Sequence, residues 1–217
     1  MKRKPLCLSL ALALSFGLAA CQSSPDTSSA QSSVVSDSSS AKGCAPDEFG
    51  CEVSSEKSSE EIVKREEYDQ TVASFREISF DDAIHLFEDK GTGLVYFGFP
   101  DCPWCDEIVP LLKGAAEEAD IEVLYVRTRD DDHERLYSDE QRDKIAPYFG
   151  DHDYIRNNLM GQPTMYVPLV IAVKDGELAA GHQGTVDGHD AKESEMTDEQ
   201  REQAEKEIAE LVNTLKK

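Results

Sequence analysis

Apolar runs and polar, turn-rich stretches alternate along the chain from about residue 61 onward. Four apolar segments predict strands: residues 72–78, 94–99, 121–127 and 169–173. The run at 94–99 lacks alternation, as expected for a strand buried on both faces. After the fourth strand, Asp175-Gly176 predicts a tight hairpin turn into another strand that starts near Leu178.

Three helices are predicted between and after these strands. Ser79 is a good N-cap and is followed by acidic residues in the first turn. A second helix is expected from about residue 102 to 118, and a third after Thr197, which has capping-box spacing to Gln200. The order of elements predicts an α/β sandwich with a mixed central sheet flanked by helices. Residues 128–167 form an acidic, helix-prone insertion, in which Asp130 is expected to begin a solvated helix.

The first twenty residues have the pattern of an export signal. A positive start (Lys2, Arg3, Lys4) precedes an apolar run that is too short to span a bilayer comfortably. Residues 18–21, Leu-Ala-Ala-Cys, resemble the bacterial lipobox, which predicts lipidation of Cys21 and an extracytoplasmic, lipid-anchored protein. The alternative is an ordinary secretory signal that leaves Cys21 as a free thiol.

Residues 21–60 are expected to form a disordered tether between this anchor and one domain at residues 61–217. Serine makes up fourteen of the thirty-nine residues from 22 to 60, so the segment cannot bury enough apolar surface to offset the entropy of ordering. Cys44 and Cys51 lie within it. They are interpreted as a local disulfide, or alternatively as an auxiliary dithiol that exchanges electrons with the main site.

The net charge limits the classes of partner. Lys plus Arg total 22 against 44 Asp plus Glu, which gives −22. Such a chain lacks the basic surface that nucleic acid requires, and it is repelled from an anionic membrane surface. The sequence shows no clear signal for an oligomer, and a monomer is expected.

The candidate chemistry lies in Cys102-Pro103-Trp104-Cys105, between the buried strand and the next helix. Cys102 falls at the helix N-terminus, where unpaired amides favour a thiolate, and Cys105 lies one turn further on. This predicts Cys102 as the nucleophile and Cys105 as the resolving thiol, with their redox-active disulfide in place of a cofactor. A zinc site is the alternative, but no second cysteine pair has zinc spacing and no histidines are paired at ligand spacing. No metal is therefore expected.

From residue 72 to 217 the chain resembles the thioredoxin superfamily. Pro110 matches the proline that kinks the active-site helix in that family, and Val167-Pro168 matches its cis-proline. Pro163 is a rival for the latter role, but it would leave too many residues before the hairpin turn. The resemblance implies that Val167 and Pro168 face the dithiol and orient the substrate backbone, and Trp104 is expected at the rim, in contact with the partner.

The chain also departs from the family pattern. Tyr96 stands where thioredoxins carry a buried acid six residues before the first cysteine, and Gly98 stands where they carry a tryptophan. The dipeptide between the cysteines is more similar to that of glutaredoxins. The stretch from Tyr96 to Cys105 most resembles the bacteriocin transport accessory proteins of Gram-positive bacteria.

Two functions follow from the sequence. The first is a membrane-tethered thiol–disulfide oxidoreductase that acts on cysteines of exported proteins and is recharged by a membrane electron carrier. Asp101, Asp106 and Glu107 crowd the dithiol with negative charge, which favours the disulfide form and a reducing pair. The second is a thioredoxin-like binding module for a secreted peptide, with an incidental dithiol. His182 either approaches the dithiol from the side or is a plain surface residue.

Overall fold

Helices and strands alternate along residues 57–216, the part of the chain that the computed structural model describes. The helices are α1 (Ser59–Val72), α2 (Phe80–Glu88), α3 (Pro103–Ala119), α4 (Asp139–Ile145) and α5 (Asp198–Asn213). The strands are β1 (Arg76–Glu77), β2 (Gly93–Gly98), β3 (Val123–Arg127), β4 (Ile155–Asn157), β5 (Pro163–Met165), β6 (Leu169–Lys174) and β7 (Glu177–Gln183). Short 3-10 helices cover Ala146–Phe149 and Thr214–Lys216.

A mixed five-stranded sheet, in the order β1-β3-β2-β6-β7, lies at the centre of the domain. Strands β1 and β2 run parallel to β3, whereas β6 is antiparallel to both β2 and β7. The Asp175-Gly176 turn joins β6 to β7 with positive φ at both residues, as the sequence predicts. The α/β sandwich with a mixed sheet is therefore confirmed.

Alternate side chains of β2 enter two cores on opposite faces of the sheet. Leu94 and Tyr96 belong to the α3 core, which α1, α3 and α5 cover. Val95 and Phe97 belong to the α2 core, which α2 and α4 cover. All four side chains are fully buried, as the absence of alternation in the sequence predicts.

Side-chain caps fix where four of the helices begin. The side chain of each cap accepts a hydrogen bond from the backbone N–H three residues on, and the side chain of that residue accepts one from the backbone N–H of the cap. The pairs are Ser58 and Glu61, Ser79 and Asp82, Ser138 and Gln141, and Thr197 and Gln200. The two helix starts predicted at Ser79 and Thr197 are confirmed. Within residues 57–216, no helix has both the length and the apolar composition needed to cross a membrane.

The start of the domain differs from the prediction. Helix α1, which was not predicted, extends through Val72, so the strand predicted over 72–78 is wrong except at β1. The helix buries only Tyr68, while Ile62 and Val63 are about half exposed. Its apolar periodicity is correspondingly weak, and the edge strand β1 is exposed at both residues.

The insertion at 128–167 holds α4, a 3-10 helix and the separate hairpin of β4 and β5. The helix expected to begin at Asp130 is absent from this segment. Instead, Asp130 Oδ1 accepts the backbone N–H groups of Asp132 and Glu134, at 3.0 and 2.8 Å, and closes a loop. A short carboxylate can compete in this way for backbone donors that a helix would otherwise use.

Candidate active site

The two cysteines of the motif lie together at the start of α3. Cys102 is the N-cap, Pro103 occupies the first turn, and the Cys105 N–H donates to the Cys102 carbonyl at 2.8 Å. Proline suits this position because its missing N–H has no helical partner there. Both thiols are free, and the residues are 4% and 0% exposed. The helix start thus presents two thiols one turn apart, as the sequence predicts.

Cys105 lies in a pocket that disfavours its thiolate. Burial raises the pKa of the Cys105 thiol well above its usual value, and its hydrogen bond with Cys102 acts in the same direction. The backbone of Phe99 and the Tyr96 hydroxyl also hydrogen-bond this thiol, and both lower its pKa. Cys105 is therefore a protonated thiol, and nearby hydrogen-bond donors are needed to stabilise its thiolate.

Three tyrosine hydroxyls meet behind Cys105. Tyr96 and Tyr125 are paired across β2 and β3, with their rings stacked at 5.4 Å between centroids. The Tyr68 hydroxyl, from α1, lies 3.2 Å from that of Tyr96 and 3.1 Å from that of Tyr125. Burial raises the pKa of all three phenols, so they remain protonated at neutral pH.

The residue before Cys102 is held by two cations. Asp101 has a left-handed backbone conformation, φ 65°. Its carboxylate accepts from Lys57 Nζ at 2.7 Å and from Arg65 Nη1 at 2.9 Å. Arg65 also reaches Asp131 in the insertion, at 2.6 Å. Helix α1 is thereby linked to both the active-site loop and the insertion.

Glu107 is also paired, on the other side of α3. Its Oε1 accepts from His189 Nε2 at 3.1 Å, and its Oε2 accepts the Met196 N–H at 3.1 Å. The side chains are 10% and 2% exposed for Glu107 and His189. The sequence predicts that Asp101 and Glu107 crowd the dithiol with negative charge. In the structure, cationic or N–H donors offset both of these charges.

Asp106 is the third acid, and it is under-satisfied. Its Oδ1 is buried and has no hydrogen-bond partner, unlike the other buried side-chain oxygens and nitrogens of residues 57–216. Burial raises the pKa of Asp106 to about 7, and the nearby charge of Asp101 acts in the same direction. Lys64 and Arg65 on α1 oppose the shift. Asp106 consequently titrates near neutral pH, directly after the resolving cysteine.

The expected substrate-binding residues lie around the dithiol. Trp104 and Val167 both pack against the α3 core, which contains the two cysteines. The Val167–Pro168 peptide bond is cis, as the resemblance implies. Phe97 of β2 pairs with Leu169, which places Pro168 at the end of β2 that leads to the active-site loop. Lys192 Nζ lies 5.6 Å from the Trp104 ring centroid, which adds a positive charge at this rim.

Other residues singled out in the sequence lie elsewhere. Cys21, Cys44 and Cys51 are outside the described residues. His182 is 10% exposed and contacts Glu207 of α5 at 3.3 Å and the Gly184 carbonyl at 3.2 Å. It is therefore neither a surface residue nor, by its polar contacts, a partner of the dithiol. Within residues 57–216, no three His, Cys, Asp or Glu side chains converge as metal ligands.

The sequence interpretation missed the contribution of α1. Arg65 and Tyr68 reach the site from this helix, three residues apart and so on one face. The capping-box spacing of Ser58 and Glu61 was an available signal for the helix. The serine-rich composition before it concealed that signal.

No protein-family model matches the sequence, and no curated protein matches it. Similar solved structures include the oxidised mitochondrial thioredoxin 3 of Saccharomyces cerevisiae, with 15% identity and a TM-score of 0.33 over 52% of this chain and 87% of that one. Another is the oxidised thioredoxin O2 of Arabidopsis thaliana, with 15% identity over 55% of this chain and 87% of that one, at a TM-score of 0.32.

A third solved structure is described as a putative oxidoreductase with a thioredoxin fold, with 14% identity over 52% of this chain and 86% of that one, at a TM-score of 0.32. These similarities are low, and the fold of the chain is evident from its own topology. The order and direction of the sheet strands, the helix that opens at the dithiol and the cis-proline before β6 together give the domain a thioredoxin-like fold.

Proposed function

We propose that this chain is a thiol–disulfide oxidoreductase that acts on cysteines of exported proteins. The observation that carries the proposal is the pair of free thiols at the first turn of α3, in a fold whose strand β6 directly follows a cis-proline. Trp104 and Val167 pack against the core that contains this pair, and in this proposal they contact the client chain.

The exchange proceeds in two balanced steps. The Cys102 thiolate attacks a client disulfide, the new Cys102–client bond forms, and one client sulfur leaves as a thiolate. Cys105 then loses its proton and attacks the Cys102 sulfur, and the second client sulfur leaves with the electron pair and takes up a proton. The client gains two electrons, and Cys102 and Cys105 end as a disulfide.

We propose that the pair works in the reducing direction. Burial keeps Cys105 protonated, and Asp106, the next residue in the chain, opposes negative charge at the site. A strong oxidant instead stabilises its reduced form as a thiolate. A reducing pair must be recharged, which suits a membrane electron carrier if Cys21 is lipidated and anchors the chain outside the cytoplasm.

The test is the reduction potential of the Cys102–Cys105 pair. It is measured in defined thiol buffers, with Cys44 and Cys51 either present or replaced by Ser, so that their contribution can be separated. A potential near that of thioredoxin, about −270 mV, is expected; about −120 mV would instead indicate an oxidase.

A replacement experiment tests the enzymatic role itself. Replacing Cys102 and Cys105 by Ser is expected to abolish reduction of protein disulfides, while circular dichroism shows that the fold is retained. If cells that carry the doubly replaced chain behave like cells that carry the unaltered chain, the domain is a binding module and the dithiol is incidental.

A further inference from the structure

The hydroxyls of Tyr96, Tyr68 and Tyr125 form a hydrogen-bonded array in the same buried cluster as Cys105. The two distances between hydroxyls are 3.2 and 3.1 Å, and the Tyr96 hydroxyl hydrogen-bonds the Cys105 thiol. The three residues are 0%, 3% and 4% exposed. They come from β2, α1 and β3, so the array exists only in the assembled fold.

Gly98 provides the space for this array. A Cβ at residue 98 would overlap the hydroxyl oxygen and the adjoining ring carbon of Tyr96. The two residues are separated by two positions on β2, so their side chains share one face of the strand. The two departures from the thioredoxin pattern are thus linked, because the phenol fits only where residue 98 has no side chain.

Each phenol has a single hydrogen to donate, and this defines two arrangements of the array. When Cys105 is protonated, the thiol donates to Tyr96, Tyr96 to Tyr68, and Tyr68 to Tyr125. When Cys105 is a thiolate, the Tyr96 hydroxyl rotates and donates to the sulfur instead, while Tyr68 still donates to Tyr125. No atom has to move apart from the hydroxyl hydrogens, since both arrangements use the same oxygen positions.

We propose, on the basis of the proposed function, that Tyr96 is a catalytic residue that donates a hydrogen bond to the Cys105 sulfur during resolution, and that Tyr68 and Tyr125 position its hydroxyl. The step begins with the Cys102–client disulfide. Cys105 releases its proton and attacks the Cys102 sulfur, and the departing client sulfur takes up a proton. Tyr96 keeps its own proton throughout and stabilises the negative charge on Cys105 before the attack.

Other titratable groups near Cys105 do not replace this donor. Cys102 shares a hydrogen bond with it but disfavours its thiolate. Asp106 follows it in α3 and interacts with Asp101, Glu107, Lys64 and Arg65 rather than with the phenols. The phenol is therefore the side chain that favours the ionised sulfur.

The first experiment titrates Cys105 directly, in the Cys102→Ser chain, by thiolate absorbance as a function of pH. The remaining cysteines are replaced by Ser, so that one thiol is observed: Cys7, Cys21, Cys44 and Cys51. Tyr96→Phe, which keeps the ring, is expected to move the inflection upward by about one pH unit, the size typical of a hydrogen bond to a charged group. Tyr68→Phe should give a smaller shift in the same direction.

The matched control is Tyr148→Phe. Tyr148 stacks on Phe87 in the α2 core, at 4.7 Å between centroids, on the opposite face of the sheet. Its replacement should leave the titration unchanged. If Tyr96→Phe also leaves it unchanged, the inference is overturned.

The second experiment measures resolution itself in the chain that retains Cys102 and Cys105. The Cys102 thiolate first attacks an aromatic disulfide and releases one coloured thiolate, and the attack of Cys105 on the Cys102 sulfur then releases a second, which reports resolution. Tyr96→Phe is expected to slow this release about tenfold at pH 7 and to leave the initial reaction of Cys102 unchanged. Gly98→Ala, at a position without positive φ, should slow it similarly because the Cβ displaces the hydroxyl.

The two experiments separate two kinds of failure. If the unaltered chain shows no release, the proposed function is wrong and the catalytic role of Tyr96 falls with it; the titration still shows whether the phenol acts on the sulfur. If the unaltered chain releases the thiolate and Tyr96→Phe does so at the same rate, only the inference about Tyr96 is wrong.

Discussion

Replacing Asp106 by Asn should make the domain more stable at alkaline pH and leave it unchanged at acidic pH. The carboxyl has an unpartnered, buried Oδ1, and burial raises its pKa from 3.8 to about 7. Asn keeps the shape of the side chain and removes only the ionisation. The difference between the two chains therefore reports the free energy of ionising Asp106 in the folded state.

The sign follows from which state binds the proton more tightly. Below pH 3.8 the carboxyl is neutral in both states and contributes no difference. Between pH 3.8 and about 7 the unfolded chain has lost the proton and the folded chain retains it. Stability therefore falls as the pH rises through this window, and the full loss is present above about pH 7.

The magnitude follows from the size of the shift. A rise from 3.8 to about 7 corresponds to an upper limit of about 4 kcal/mol, at roughly 1.4 kcal/mol per unit. The side chain is partly exposed, so solvent screening reduces this value, and we expect about 2 kcal/mol at pH 8.

The assay is urea unfolding followed by circular dichroism at several values between about pH 4 and 8, with the same measurement on Glu118→Gln as control. Glu118 is exposed on the same helix, and its replacement should give only a small difference. A constant difference for Asp106→Asn, or a loss of stability at pH 8, would contradict the reasoning. The second result would mean that Lys64 and Arg65 stabilise the ionised carboxylate.

Three further changes test the contacts around the site. Arg65→Gln should lower the free energy of unfolding by about 1 kcal/mol in the same urea titration, because it releases α1 from the active-site loop. The loss should be smaller at high salt. As a control, Arg76→Gln, which breaks an exposed ion pair, should have almost no effect. Glu107→Ala should cost about 2 kcal/mol in that assay, because it leaves the buried His189 N–H without an acceptor. Burial lowers the pKa of His182, so the folded state favours the neutral imidazole. The domain is therefore fully stable above pH 6.5 with respect to this group and loses stability as the pH falls below that value. His182→Asn should remove this acid sensitivity in thermal unfolding measured from about pH 7 to 5.

Local signals in the sequence were sufficient to predict the elements at the centre of the domain. The apolar run of β2 and the cap at Cys102 depend on neighbouring residues, and so does the turn at Asp175. Helix α1 has a capping box at its start but lacks a clear apolar periodicity, because most of its surface remains in water and only Tyr68 is buried.

Tertiary contacts determine the parts of the site that could not be predicted. Tyr68, Tyr96 and Tyr125 are far apart in the sequence and meet only when α1 packs across β2 and β3. The pairing of Asp101 with Arg65 likewise joins residues 36 positions apart. Sequence patterns report the period of a helix or strand, whereas hydrogen bonds of this kind depend on how elements pack.

The replacement of a buried acid by a phenol restricts the chemistry available to the site. A carboxylate beneath the dithiol could accept the proton of Cys105, but burial raises the pKa of Tyr96, and this phenol remains protonated. It can donate a hydrogen bond to the thiolate and cannot remove the proton. The proton of Cys105 must therefore leave to another acceptor, such as water or the departing client sulfur.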